Sequence, residues 1–344
     1  MSIRVAIVGA GPSGLATARS LIRRLGSKVH IDMFERQSRP FGLARAIAPD
    51  HMEMRNVLDS LSKVVDHPSL RIHQTDITPL HLPSLKQTHD ALVVATGGDL
   101  QAPMPPVGYK GEHLAVSATS VIRWYMDGAP SASERVENEL RLPGDTLVLV
   151  GAGNVAVDFA RILASEVTQL DASAISRTAL NTLHMLRIRN PLKRIYIVSR
   201  SEIRDVKATV SELRELFARF NVRLETPPPN PSTRVEKLFA SLPSTQILPE
   251  IVFYFGSQVS EIADGDTKTV SLKTPHGPST IPDVRTVITC TGIPVSELAS
   301  LEPESSVYKV GWAATAGKGR IVDAFAQADQ VAESIVAELR TRVH

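Results

Sequence analysis

Two stretches of the chain repeat one pattern: a short apolar run, a glycine-rich turn, then apolar positions at helical spacing. The first is Val5-Ala-Ile-Val8, the turn Gly9-Ala-Gly11-Pro12-Ser13-Gly14, and a stripe of Leu15, Ala18, Leu21, Ile22 and Leu25 that Gly26 ends. The second is Thr146-Leu-Val-Leu-Val150, the turn Gly151-Ala-Gly153-Asn154-Val155-Ala156, and a stripe of Val155, Val157, Phe159, Ile162 and Leu163. Each predicts strand, tight turn and helix, with bare backbone amides and a helix N-terminus turned toward a diphosphate. Behind the first unit, Val29–Phe34 predicts a second strand closing on Glu35. That glutamate lies 21 residues past Gly14, close to the ~20 at which a carboxylate meets a ribose hydroxyl pair. Behind the second, the strand Arg194–Val198 runs into Ser199-Arg200-Ser201 with no acidic residue. A carboxylate there would repel a 2′-phosphate, whereas Arg200 accepts one, which points to NADPH. Two cradles imply two dinucleotides and an enzyme that passes electrons between them.

The remaining pattern fills in around these units. A proline- and glycine-rich stretch, Pro40-Phe-Gly42-Leu43 and Ala48-Pro-Asp-His51, precedes a helix from about Met52 to Val65. A strand over Asp90–Gly97 ends in Thr96-Gly97, and Gln101–Gly111 reads as a crossover between domains. Pro227–Pro231 marks a loop, strands return at Glu250–Gly256, Thr267–Leu272 and Val284–Thr291, and a helix spans about Ile321 to Arg340.

Composition narrows the chemistry. At 344 residues, with 43% hydrophobic and 22% charged residues, the chain suits two domains that each bury a core. A net charge of +2 is too mild for nucleic acid but leaves room for a basic patch facing an acidic protein. Arg123, Arg161, Arg194, Arg200 and Arg204 are the candidates for such a patch. The single cysteine, Cys290, reads as a buried strand residue, and no Cys-x-x-Cys pair is present for dithiol chemistry. No metal site is expected. No apolar run approaches the ~20 residues that span a bilayer, and a first strand beginning at Ile3 leaves no room for a leader, so a cytoplasmic location is expected.

The opening cradle, Pro40-Phe-Gly-Leu43 with Ala48-Pro-Asp-His51, Gly153-Asn-Val-Ala-Val-Asp158-Phe-Ala-Arg161, Ser211-Glu-Leu-Arg-Glu-Leu216 and Gly311-Trp312 occur in this order. Together they resemble the adrenodoxin reductase-like NADPH–ferredoxin reductases, within the glutathione-reductase superfamily. The resemblance implies an α/β chain of two Rossmann-like three-layer domains. An FAD domain would be made of 1–110 and 286–344, with the NAD(P)H domain, 111–285, inserted. It further implies that Gly9, Gly11, Pro12, Ser13, Gly14 and Glu35 hold the FAD diphosphate and ribose. Gly42, Leu43, Thr96, Gly97, Gly311, Trp312, Gly319 and Ile321 would line the rest of the flavin cofactor. Gly151, Gly153, Asn154 and Val155 would meet the NADPH diphosphate, and Arg200 and Glu212 its adenosine end. His51, Asp158 and Glu215 would form a polar cluster near the nicotinamide, with Trp312 at the flavin edge.

Two departures from the family pattern matter. After Gly311-Trp312 the chain reads Ala313-Ala-Thr-Ala-Gly-Lys-Gly319, where the family usually has an apolar residue and Lys-Arg-Gly-Pro-Thr-Gly. The family's paired arginines for the 2′-phosphate are here Arg200-Ser201. The resemblance implies hydride transfer from NADPH to FAD and single-electron delivery to a ferredoxin-like iron–sulfur protein. Small residues after Trp312 leave a second reading, an FAD enzyme acting on a small organic substrate. A non-catalytic cofactor-binding protein is a third.

Overall fold

The computed structural model describes residues 2–44, 52–102, 104–127, 130–170, 175–228, 230–242, 248–301, 305–319 and 321–341. His51 and the rest of Ala48-Pro-Asp-His51 lie outside them. The described residues divide into two compact units, Met1–Pro103 with Ile293–His344, and Met104–Gly292. Each contains one of the glycine turns.

The first unit is built on a parallel sheet of β1 (Ile3–Val8), β2 (Val29–Glu35), β3 (Leu70–Gln74), β4 (Ala91–Val94) and β13 (Val307–Lys309), ordered β13-β4-β1-β2-β3. A central parallel strand is covered on both faces, which is why Val5–Val8 reads as an unbroken apolar run. On one face Val5, Ile7, Ile31 and Met33 pack under helices Pro12–Leu25, Met52–Val65 and Ile321–Thr341, the last through Ala328, Ala332 and Ile335. On the other, Ala6, Val8, Leu92 and Val94 meet Leu82, Leu85, Leu298 and Ala313. Three layers result.

Among the described residues the second unit carries eight strands: β5 (Val116–Ser117), β6 (Thr146–Val150), β7 (Arg194–Val198), β8 (Val222–Leu224), β9 (Glu250–Tyr254), β10 (Gln258–Ala263), β11 (Lys268–Thr274) and β12 (Gly277–Thr289). Their order is β10-β11-β12-β6-β7-β9-β8, with β5 beside β12. The β12-β6-β7-β9-β8 part is parallel and the β10-β11-β12 part antiparallel. Valines of β6, β7 and β12 bury one face against Val259, Ile262, Val270 and Leu272 of the β10–β11 hairpin.

The resemblance implies a boundary at 285/286; in the structure β12 is a single 13-residue strand that pairs first with β11 and then with β6. A cut there would split the ladder, so the break falls at 292/293, and its counterpart moves from 110/111 to 103/104. The strand expected over Asp90–Gly97 shortens to Ala91–Val94, because Ala95–Gly97 turns away to border the first glycine turn.

One polar cluster sits within the first sheet. Asp32 on β2 accepts a hydrogen bond from Arg4 (3.1 Å) and is hydrogen-bonded to Nε2 of His73 (2.6 Å) and of His89 (3.2 Å). Burial alone would raise its pKa, but the bonds from His73, Arg4 and His89 outweigh it and hold the carboxyl at about 2, below the ordinary 3.8. A folded-state pKa below the unfolded one adds stability that is present above pH ~4 and disappears as pH falls toward 2. With solvent screening of a half-buried group, this amounts to about 1–2 kcal/mol. Denaturant titrations of wild type and Asp32→Asn should therefore differ by that amount at pH 6 and converge near pH 2.

Candidate functional site

Both glycine turns are built alike. In the first, Gly9 has φ +106°, and a Cβ there would stand 2.4 Å from the Ala95 carbonyl oxygen. A Cβ on Gly14 would stand 2.0 Å from the Gly9 carbonyl oxygen. These two glycines are demanded by the protein's own packing. Gly11 is different: its φ is −76° and a Cβ would meet nothing within 4 Å. In the second turn Gly151 has φ +116°, and its Cβ would lie 2.5 Å from the Cys290 carbonyl oxygen, whereas Gly153 faces open space. Each turn thus sits where its strand's two neighbours diverge, β1 between β2 and β4, and β6 between β7 and β12. Such switch points are where parallel sheets bind ligands.

The helices that follow are left open at their N-termini. Pro12–Leu25 is capped by Gly11 and Asn154–Ala164 by Gly153, each without a side-chain hydrogen bond or an acidic residue in the first turn. Helices beginning at Arg177, Val210 and Arg234 are instead capped by Ser176, Thr209 and Thr233. Unfilled helix amides beside a glycine with room in front of it fit an anionic diphosphate.

Around the first turn the structure brings together most of the residues expected there. Oε2 of Glu35 accepts from the Ala10 amide (2.8 Å) and Oε1 from the Gln37 amide (3.0 Å), fixing the carboxylate at the end of β2. It borders a cavity of about 170 Å³ lined also by Gly9, Arg36, Asp76, Thr96 and Ser296. Pro40-Phe-Gly-Leu43 folds over the turn: the Phe41 amide donates to the Ala10 carbonyl, and a Cβ on Gly42 would stand 3.4 Å from Gly11 Cα. The Ser13 hydroxyl fills the space in front of Gly311, whose amide donates to Gln327. Leu43 and Trp312 converge on Gly98, where a Cβ would meet Trp312 Cζ3 at 3.2 Å and Leu43 Cδ1 at 3.3 Å. The indole N–H of Trp312 donates to the Gly319 carbonyl (3.0 Å), which closes the altered segment into a loop. Gly97 turns with φ +63°, Thr96 shares a hydrogen bond with Ser296 (2.6 Å), and Ile321 opens the last helix.

Several residues of this site were not foreseen. Arg36 pairs with Asp99 at 2.7 Å, and Asp99 also accepts from the Gln101 and Ala102 amides. Burial would raise the Asp99 pKa, but Arg36 and these amides hold it below its ordinary value. Gly98, adjoining Thr96-Gly97, was legible as a double glycine. Ser296 lies in a stretch without periodicity and gave no signal.

Around the second turn, Asn154 uses its side-chain oxygen to accept the Thr209 amide (2.9 Å), and Val155 lies in the first turn of its helix. Arg200 is exposed at the end of β7, and Glu212 lies in the first turn of helix Val210–Arg219. Glu215, on the same helix, pairs with Arg219 at 3.5 Å. Asp158 is buried against Arg161, with Arg161 Nη2 donating at 3.0 Å and both side chains at most 3% exposed. Arg161 therefore leaves the list of docking-surface candidates: its helix buries every residue from Ala156 to Ala164. Cys290 is buried as expected, which pushes its thiol pKa up and keeps it unreactive.

The family model of the pyridine nucleotide-disulphide oxidoreductases matches residues 3–202, both glycine turns included. The chain belongs to this family. Among its relatives, the mitochondrial NADPH:adrenodoxin oxidoreductase of Mus musculus is 34% identical over 219 residues, which are 62% of this chain and 42% of that protein. A probable counterpart in Schizosaccharomyces pombe is 37% identical over 237 residues, 67% of this chain and 48% of the relative. The match thus spans less than half of either relative. The fold is shared with Mycobacterium tuberculosis FprA, solved in complex with NADPH, at a TM-score of 0.81 and 22% identity over 99% of this chain and 85% of that one. The sequence holds one cysteine, Cys290, so no dithiol pair can form within it. Among the described residues no helix is long and apolar enough to cross a membrane.

Proposed function

We propose that the chain is an FAD-dependent oxidoreductase that takes hydride from NADPH and passes electrons one at a time to a ferredoxin-like iron–sulfur protein. The observation that carries this reading is the doubling of one device. Two uncapped helix N-termini, each behind an open glycine, stand at the switch points of two separate sheets, one parallel and one mixed with a parallel core. In the first unit Gly11 and the amides behind it would hold the FAD diphosphate, and Glu35 the adenosine ribose. Leu43, Gly98 and Trp312 offer an apolar wall, fixed by the Trp312–Gly319 hydrogen bond, for a flat ring system. In the second unit the amides of Gly153–Val155 would hold the NADPH diphosphate, with Arg200 at the 2′-phosphate. FAD supplies two-electron acceptance and one-electron release; the chain supplies binding and orientation. No side chain serves as nucleophile. The iron–sulfur acceptor is inferred from relatives named for adrenodoxin.

The test is anaerobic titration of the purified flavoprotein with NADPH and, separately, NADH, following flavin absorbance. Stoichiometric bleaching, reached at lower NADPH than NADH, is the expected result. Failure of both nucleotides to bleach the flavin sinks the reductase reading. A ferredoxin added to the reduced protein should then be reduced at a rate that falls with salt, because acidic partners dock by charge. Oxidation by a small organic acceptor but by no ferredoxin would favour the second reading.

A further inference from the structure

The segment after β7 does more than carry Arg200. Its end, Ala208-Thr209, meets the second glycine turn, where the Ala208 amide donates to the Ala152 carbonyl (3.2 Å) and the Thr209 amide to Asn154 Oδ1 (2.9 Å). These two bonds pin the backbone immediately after Lys207 to the middle of the turn. Lys207 is exposed, and among the described residues its ammonium makes no hydrogen bond or ion pair. The acidic neighbours do not neutralise it: Glu202 lies against Gly256, its Oε1 3.1 Å from a Cβ built there, and Asp205 is exposed without an ion pair to Lys207.

We propose that Lys207 is a diphosphate ligand of the second cradle, a cation that this chain supplies beside the backbone amides. The inference rests on the nucleotide reading above and deepens it. Two positions with different duties follow. Arg200 lies two residues past β7, where a Rossmann unit reads the ribose, so it senses the 2′-phosphate. Lys207 immediately precedes Ala208, which is tethered at Ala152 beside the open Gly153 and the uncapped helix, so the lysine senses the diphosphate common to NADP and NAD. A compact ammonium on a flexible stem suits phosphate oxygens without demanding one geometry. Charge lost with the second arginine of the 2′-phosphate pair is thereby regained at the diphosphate, in the middle of the nucleotide.

Calorimetric titration of the FAD-loaded protein with NADP⁺ and with NAD⁺ tests this without turnover. Lys207→Gln should weaken both nucleotides by a similar factor, about tenfold to a hundredfold, as for one charge-assisted contact. Lys207→Arg should restore most of it. Arg200→Gln should weaken NADP⁺ alone. Because Lys207 is exposed, its variants should melt with the wild type. Binding of both nucleotides within twofold of wild type in Lys207→Gln overturns the proposal, as does a loss confined to NADP⁺. If the wild type binds neither nucleotide, the NADPH reading falls with it; wild-type binding with a silent Lys207 removes only the lysine's role.

Discussion

Gly11→Ala should yield a folded, colourless protein. The substitution adds one methyl group where nothing of the protein lies within 4 Å, at a backbone φ of −76° that alanine adopts without strain. The apo form should therefore melt within a few degrees of wild-type apoprotein, since the only loss is that alanine caps the helix less well than glycine, by about 1 kcal/mol. The methyl does occupy the approach to the helix amides, so about two charge-assisted contacts to the FAD diphosphate are lost. At about 1.5–3 kcal/mol each, affinity falls by two to four decades. Gly9→Ala is the control with the opposite signature. Its methyl would press within 2.4 Å of the Ala95 carbonyl at φ +106°, costing about 2–5 kcal/mol in the apo form itself. Flavin-to-protein ratio and apoprotein melting, measured on both variants, separate a ligand-facing glycine from a packing one. A Gly11→Ala protein that retains one flavin per chain would remove the diphosphate from this turn.

That contrast also shows how far the sequence could be read. Gly9, Gly11 and Gly14 form one motif in the sequence, and their local order of strand, turn and helix was legible because each step depends on near neighbours. Their different duties were not legible, because Gly14 is required by the Gly9 carbonyl inside the folded turn and Gly9 by Ala95, a contact made only after β4 docks beside β1. The same limit applies to the apolar wall. Leu43 and Trp312 were each singled out, but their meeting over Gly98 joins three segments far apart in the chain. Unit boundaries meet a related limit: a boundary depends on which sheet a strand joins, and β12 joins the second along its whole length.

Arg161→Met should strongly destabilise the second unit. An arginine near the end of a helix reads as a solvated charge, yet this one is 1% exposed and donates to an Asp158 that is 3% exposed. Removing the guanidinium leaves a carboxylate in the interior without its opposite charge, which typically costs about 3–5 kcal/mol. For a unit of this size that lowers Tm by about 6–20 °C. Asp158→Leu combined with Arg161→Met should recover most of the loss, since a buried ion pair replaced by apolar groups of similar volume is often neutral or stabilising. The double variant also decides what Asp158 is for. If the pair serves packing, recovered stability should come with flavin bleaching by NADPH within a few fold of wild type, and that is the expected outcome given the burial. Recovered stability with bleaching slowed a hundredfold or more would instead assign the Asp158 carboxylate to the nicotinamide, as the family resemblance implies, and make Arg161 the residue that positions it.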